Sequence, residues 1–378
     1  MCWRSVGPKG IDQDVARNRR ASSQRQHLEQ GPGLATSDGV LGQAVDLERS
    51  EHAHAQQRQH RPSMSQRLQQ RPERPPAERG VSGLRQSGEF VSVSVVGIGI
   101  TGTGNMGGAM WRRLHERGID AEVFDLRRDV ATQLGATVAE SAHALVGRND
   151  AVILSLPTSR HVQAAIDDAI DFFRADTLVI DTTTGVPSIS REVARTLATR
   201  GVHYVDCGVS GGPHGALAGA LKIMVGGSDD AFAAAQPILE HLGSRIWRCG
   251  DVGRGHAMKA VLNLANQNKM LVELEALALG AKNGLDPHVV ADVLDLVVWK
   301  DWLLGPEGRR PFGFTLALFA KDFDVANTVA TDAGVVLPLG AAGQQLARQL
   351  RIEAGDDADL IDAVAVIERW SSVDFRQE

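Results

Sequence analysis

From Val91 onward two hydrophobic patterns take turns along the chain. Val91, Val93 and Val95 alternate with serine, and Val96-Gly97-Ile98-Gly99-Ile100 then runs apolar into a glycine-rich turn. Apolar positions at helical spacing follow over Met106–Arg117, and a short strand follows over Ala121–Asp125. Further apolar runs at Ala151–Leu156, Leu178–Asp181, Val202–Asp206, Leu221–Val225 and Arg245–Arg248 are predicted strands. Helix-period stretches separate them, the clearest at Asp229–His241. Short continuous apolar strands between helices predict a parallel sheet covered on both faces. After Gly255 the strand pattern stops. Ala257–Lys282 reads as one long helix closed by Asn283-Gly284. Asp286-Pro287 opens another, a capping carboxylate followed by proline at the first helical position. The pattern predicts an α/β domain over residues 91–254 and an all-helical domain over 255–378.

Residues 1–90 follow neither pattern. They are rich in Gln, Arg, Pro and Ser, and carry 13 Arg and 1 Lys against 10 acids. So few apolar side chains cannot offset the entropy of ordering a backbone, which predicts a disordered tail. The remaining residues hold 26 bases against 36 acids, so nothing in the charge invites nucleic acid. Cys2, Cys207 and Cys249 are too scattered for a disulfide frame or zinc cluster. His203, His214 and His256 lack metal-ligand spacing, and no metal is expected. No stretch approaches 18 uninterrupted apolar residues, and the N-terminus has no apolar signal core. A cytoplasmic protein without membrane contact is expected.

Three segments carry candidate chemistry. The first is Gly102-Thr103-Gly104-Asn105-Met106-Gly107, a G-x-G-x-x-G between the first strand and the first helix. Its glycines allow a tight turn and close approach of a pyrophosphate, and the helix start supplies free N–H groups. The frame beginning at Gly97 also fits, but would place its glycines within the strand and leave Gly104 and Gly107 idle. Asp125 lies 23 residues after Gly102, near the spacing of a ribose-binding carboxylate. The α/β domain is therefore expected to be a Rossmann-type dinucleotide-binding domain. A carboxylate there favours NAD, while Arg127 and Arg128 offer a seat for the 2′-phosphate of NADP.

The second segment, Asp206-Cys207-Gly208-Val209-Ser210-Gly211-Gly212, is a strand running into a glycine-dense loop. Backbone N–H groups and one hydroxyl crowded there suit a substrate carboxylate. The third is the long helix. Met258, Val261, Leu262, Leu264 and Ala265 cover most of its surface, which predicts a largely buried helix. Lys259, Asn263, Asn266 and Met270 share one stripe. A lysine on a buried helix either snorkels to water or has its pKa lowered, and the second makes it an acid/base. Lys321-Asp322, in a later segment, reads by itself as the exposed face of a helix.

Taken together these segments resemble the β-hydroxyacid dehydrogenase family, of the 3-hydroxyisobutyrate dehydrogenase and tartronate semialdehyde reductase type. The resemblance spans about residues 93–350 and rests on five motifs in order. They are the G-T-G-N-M-G-G-A-M turn, Leu156-Pro157 with Thr183-Thr184, V-S-G-G-P-H-G-A-L-A-G-A-L, G-R-G-H-A-M-K-A-V-L-N, and L-F-A-K-D-F-D-V-A. It implies hydride transfer between a β-hydroxyacid and its semialdehyde or keto acid, in a cleft between the two domains. It implies Lys259 as general acid/base with Asn263 orienting, and Ser210, Gly211 and Gly212 on the substrate carboxylate. Gly102, Gly104, Asn105, Met106, Gly107, Asp125, Leu156, Pro157, Thr184 and Lys321 would hold the cofactor. A homodimer or homotetramer is expected. Three departures stand out: Gly208 where the family has proline, Leu262 where it has a first asparagine, and His256 where it has glutamine. An imine-reductase-like enzyme and a catalytically silent dinucleotide-binding scaffold are the alternatives.

Overall fold

The structure is a computed structural model that describes residues 97–305 and 308–375. The predicted tail over 1–90 and the first residues of the predicted first strand, Val91–Val96, lie outside the described residues. The sheet region runs β1 (Ile98–Thr101), α1 (Asn105–Glu116), β2 (Ala121–Phe124), α2 (Arg128–Gln133), α3 (Ala142–Arg148), β3 (Ala151–Leu154), α4 (Ser159–Ala169), β4 (Leu178–Asp181), α5 (Pro187–Ala198), β5 (His203–Ser210), α6 (Gly212–Leu217), β6 (Leu221–Gly226), α7 (Asp229–Leu242) and β7 (Gly243–Gly250). The helical region follows as α8 (Arg254–Lys282), α9 (Pro287–Val293), α10 (Val297–Trp302), α11 (Leu316–Ala333), α12 (Pro338–Ala354) and α13 (Asp362–Ser371).

Among the described residues seven strands form one sheet in the order β2-β1-β3-β4-β5-β6-β7. The first five are parallel, with Ile98 opposite Ala121 on one side and Ala151 on the other. Strand β6 departs from the expectation of an all-parallel sheet: it returns antiparallel to β5, Ser210 facing Lys222. The link between them, Gly211–Ala220, is too short for a crossover helix to carry the chain back for a parallel strand. Strand neighbours send side chains to opposite faces. Ile153, Ile180 and Val205 join the core under α1 and α7, while Val152, Val179 and Tyr204 join the core under α3, α4 and α5. Burial on both faces explains why these strands read as unbroken apolar runs.

Helix α8 links the two regions. Its first turns lie on β5 and β6, and its remainder packs on α11, α12 and α13. There Leu274, Leu277, Trp299, Phe319 and Phe323 are fully buried, and Phe319 meets Phe323 edge-on at 5.5 Å. The predicted caps at its far end hold: Asn283 is the C-cap, and Asp286 accepts the His288 N–H at the start of α9.

One expectation about α8 is overturned. The helix is not apolar because it is buried all round; Met258, Val261, Ala265, Val272 and Leu279 are exposed. They fall on one side, with Met258, Ala265, Val272 and Leu279 at intervals of seven. Sheet and helices cover the other sides. The second correction concerns α11. Asp322 is buried at 5% and Lys321 is partly buried, so this pair is not a solvent face. The reason is that α11 packs its Lys321-Asp322 side against α8.

Candidate active site

The order β2-β1-β3 places the C-terminal end of β1 at the point where the strand order reverses, where doubly wound sheets open a crevice. The glycine turn sits there. Gly102 has φ +89°, and a Cβ on it would lie 2.3 Å from the Ser155 carbonyl oxygen. A Cβ on Gly107 would lie 1.9 Å from the Gly102 carbonyl oxygen, so α1 starts directly on the turn. Gly104 differs: the nearest atom a Cβ there would meet is the Arg127 guanidinium, 4.0 Å away. Gly104 is the N-cap of α1 and offers no side chain to the free N–H groups, while Asn105 is exposed and Met106 partly so. An open cradle of backbone donors beside a guanidinium fits a dinucleotide pyrophosphate.

Asp125 follows β2 and braces this turn. One oxygen accepts the Thr103 N–H at 2.7 Å and its hydroxyl at 3.2 Å, and the other accepts the Arg127 N–H at 2.9 Å. Burial works to raise its pKa, but these donors and the Arg127 guanidinium outweigh it and hold the carboxyl below its ordinary value. Leu126, next in the chain, is 92% exposed. From the β3 end, Leu156 reaches Gly102 and its N–H donates to the Thr183 hydroxyl at 3.1 Å, while Pro157 is exposed. A cavity of about 180 Å³ opens nearby, lined by Thr158, Arg160, Thr184, Ile189 and Lys321. It brings the β4–α5 loop and α11 together.

The second half of the site is at the start of α8. Gly208 on β5 touches this helix so closely that a Cβ there would lie 2.5 Å from the Lys259 Cβ. Gly255 and Gly226 are as tightly placed: a Cβ on Gly255 would lie 2.2 Å from the Asp206 carbonyl oxygen, and one on Gly226 2.5 Å from Asp206 Oδ1. Two residues past Gly208, Ser210 ends β5, and Gly211 and Gly212 follow with φ of +131° and +64°. Burial lowers the Lys259 pKa; Asp322 opposes that and Lys321 adds to it. Asn263, one turn on and buried, donates to Asp322 Oδ2 at 2.7 Å, and Lys321 Nζ lies 3.2 Å from Asp322 Oδ1. Lys259, Asn263, Lys321 and Asp322 therefore form one charged cluster. Asn266 and Met270, predicted on the same stripe, are exposed and partly exposed.

Sequence reasoning missed several polar residues here. Asp322 carries the cluster, Asp206 caps α8, and His256 is buried beside Ser190. The available signal was an acid in an apolar strand, which predicts a paired carboxylate. Among the described residues no group of His, Cys, Asp and Glu is placed to hold a metal ion, and no helix is long and apolar enough to cross a membrane.

Residues 97–250 match the family described as the NAD binding domain of 6-phosphogluconate dehydrogenase. Residues 253–367 match the family described as NAD-binding of NADP-dependent 3-hydroxyisobutyrate dehydrogenase. The 3-hydroxyisobutyrate dehydrogenase of Pseudomonas aeruginosa is 35% identical over 268 residues, covering 66% of this chain and 90% of that one. The solved 3-hydroxyisobutyrate dehydrogenase of Mycobacterium tuberculosis with L-serine superposes at a TM-score of 0.64 and 29% identity, over 71% of this chain and 98% of that one. An imine reductase of Myxococcus stipitatus, at 0.50 and 18% over 72% and 98%, shares the fold alone. Glycine turn, Asp125 carboxylate, glycine-dense strand end and helix-borne lysine occur in one order in a chain this similar over nearly a whole relative. The chain belongs to the β-hydroxyacid dehydrogenase family and is an NAD(P)-binding oxidoreductase.

Proposed function

We propose that this protein interconverts a small β-hydroxyacid and its semialdehyde or keto acid, with Lys259 as the general acid/base. The observation that carries this reading is the place of Lys259, its Cβ against Gly208 two residues before Ser210 and one helical turn before the Asn263–Asp322 pair, with burial lowering its pKa. The nicotinamide cofactor, when bound, supplies hydride acceptance and donation at its C4. The protein's own groups handle the rest. In the oxidation direction the neutral Lys259 amine takes the hydroxyl proton; in reduction its ammonium returns one. A pKa lowered by burial keeps more of the amine neutral near physiological pH than an ordinary lysine near 10.4 would. Asn263 fixes Asp322, whose charge keeps the lysine from losing its proton altogether. The N–H groups of Gly211 and Gly212 and the Ser210 hydroxyl orient the substrate carboxylate, and alignment is a large part of the barrier reduction.

Gly102, Gly104, Asn105, Met106 and Gly107 would cradle the pyrophosphate, with Leu156, Pro157, Thr184 and Lys321 on the nicotinamide side. NAD is the preferred form on this reading. The ionised Asp125 stands where a 2′-phosphate would have to come, and exposed Leu126 offers the adenine an apolar surface. The apolar seam of α8 at intervals of seven supports a homodimer in which that helix pairs with a second copy of itself. A screen of hydroxyacids, 3-hydroxyisobutyrate and L-serine among them, with NAD and NADP and absorbance as readout, tests the activity. Tight dinucleotide binding with no turnover of any hydroxyacid would favour the silent scaffold instead.

A further inference from the structure

His256 is 1% exposed, three residues before Lys259 on α8, and the proposed chemistry gives it no task. Its surroundings are specific. The backbone N–H donates to Asp206 Oδ2 at 2.7 Å, and ring Nδ1 lies 2.8 Å from the Ser190 hydroxyl on α5. The ring lies against the β4–α5 loop, where a Cβ on Gly185 would come within 2.3 Å of Nδ1. The Ser190 hydroxyl also reaches the Val186 carbonyl at 3.2 Å; with its hydrogen donated there it accepts from the imidazole at Nδ1. Nε2 is buried with no hydrogen-bond partner among the described residues.

Packing alone does not ask for a histidine at this place. A leucine fills a similar volume without leaving a polar nitrogen unsatisfied. What the imidazole adds is direction: one bond to Ser190 that ties the first turn of α8 to α5 and to the loop bearing Thr184. We propose that His256 is a positioning residue, resting on the reading of Lys259 as the acid/base. It holds the first turn of α8 so that the lysine one turn on keeps its place against Gly208. The glycines at 208, 226 and 255 allow the helix to lie against the strands; the His256–Ser190 bond keeps it from rotating there. The titratable and charged groups around it are Asp206 and Tyr204 of β5, Asp181 of β4, Arg191 of α5, and Lys259 on its own helix.

The test compares wild type with His256→Leu, Ser190→Ala and His256→Gln. Two pH profiles are recorded: kcat/KM for hydroxyacid oxidation, and the rate of Lys259 acetylation read by mass spectrometry, which needs no turnover. His256→Leu and Ser190→Ala should lower kcat roughly ten- to a hundredfold, the scale for a reacting group displaced by about 1 Å or less. Both should move the ascending limb of each profile to higher pH, because a lysine released into water regains its ordinary affinity for the proton. The Kd for NADH should stay within about twofold, since the glycine turn is untouched. His256→Gln, whose amide reaches Ser190, should restore limb and kcat. Ser190→Ala leaves α8 intact and carries the test if His256→Leu fails to fold. A limb that stays put in the variants overturns the positioning role. A wild type whose limb survives Lys259→Ala overturns the acid/base reading, and the positioning role with it.

Discussion

Helices α1 and α8 both begin on a glycine, Gly104 and Gly253, and neither N-cap offers a side chain to the free N–H groups behind it. At α8 the chain meets that need itself. Asp206, fully buried on β5, accepts the Gly253 N–H at 2.6 Å and the His256 N–H at 2.7 Å. At α1 no acid stands in the first turn: Asp125 takes the Thr103 N–H just before it, and the space over Gly104 is open, with the Arg127 guanidinium at its edge. Both ends carry the same partial positive charge. One is a closed structural joint; the other, left open, is the proposed seat of the dinucleotide pyrophosphate. A helix start thus stays available to an anion through what the chain leaves undone.

The sharpest way to break this comparison separates chemistry at α8 from binding at α1. Lys259→Ala should lose roughly 10²–10⁴ in turnover, the range for a positioned acid/base, with little change in NADH affinity. Lys259→Arg should fail nearly as badly, because guanidinium keeps its proton. Turnover near wild type in either variant would mean that the proton is handled elsewhere.

Swapping the character of the two helix starts comes next. Gly104→Asp places an anion on α1 in open space and should keep or slightly raise the melting temperature, as N-cap acids do. It should weaken NADH on the order of a hundredfold, because like charges brought together cost several kcal/mol. Asp206→Ala should do the reverse. It orphans two buried donors, at about 1–3 kcal/mol each, yet leaves dinucleotide affinity within a few-fold. Calorimetry and fluorescence titration on both variants decide, and matching losses in both would dissolve the distinction.

Asp125→Ala should cost about tenfold in NADH affinity, the worth of one charge-assisted hydrogen bond of roughly 1.5 kcal/mol, while NADPH binding holds or improves. Wild-type protein that already prefers NADPH would show that Arg127 and Arg128 govern the choice. The smallest effects concern the sign of the field on Lys259. Asp322 raises its pKa and Lys321 lowers it. Asp322→Asn should therefore move the ascending limb of oxidation to lower pH, and Lys321→Ala should move it to higher pH. Shifts in the same direction would place the lysine outside their influence.

Strands β1 to β7, the glycine turn and the lysine helix were legible because each is written in local spacing. What escaped depends on contacts across the chain. Asp322 follows a lysine on an amphipathic helix, and nothing local says that it faces Asn263, 59 residues away. Asp206 sat in the predicted strand, but its task belongs to a helix start 47 residues on. Gly208 read as a departure from the family; the closeness of Lys259 gives it a positive reason. The apolar side of α8 was misjudged for the same cause: periodicity reports that a face is apolar without saying whether this chain covers it.

The contacts at Gly208, Gly226 and Gly255 bear on how this protein tolerates change. They bring α8 onto the sheet where no Cβ fits, so the lysine's place is set apart from the side chains that fill the two cores under the sheet. Drift among those aliphatic residues spends stability while sparing the reaction. A single added methyl at any of the three glycines does the opposite. Selection for a new substrate can therefore rework most of the interior freely, provided that three hydrogen atoms stay where they are.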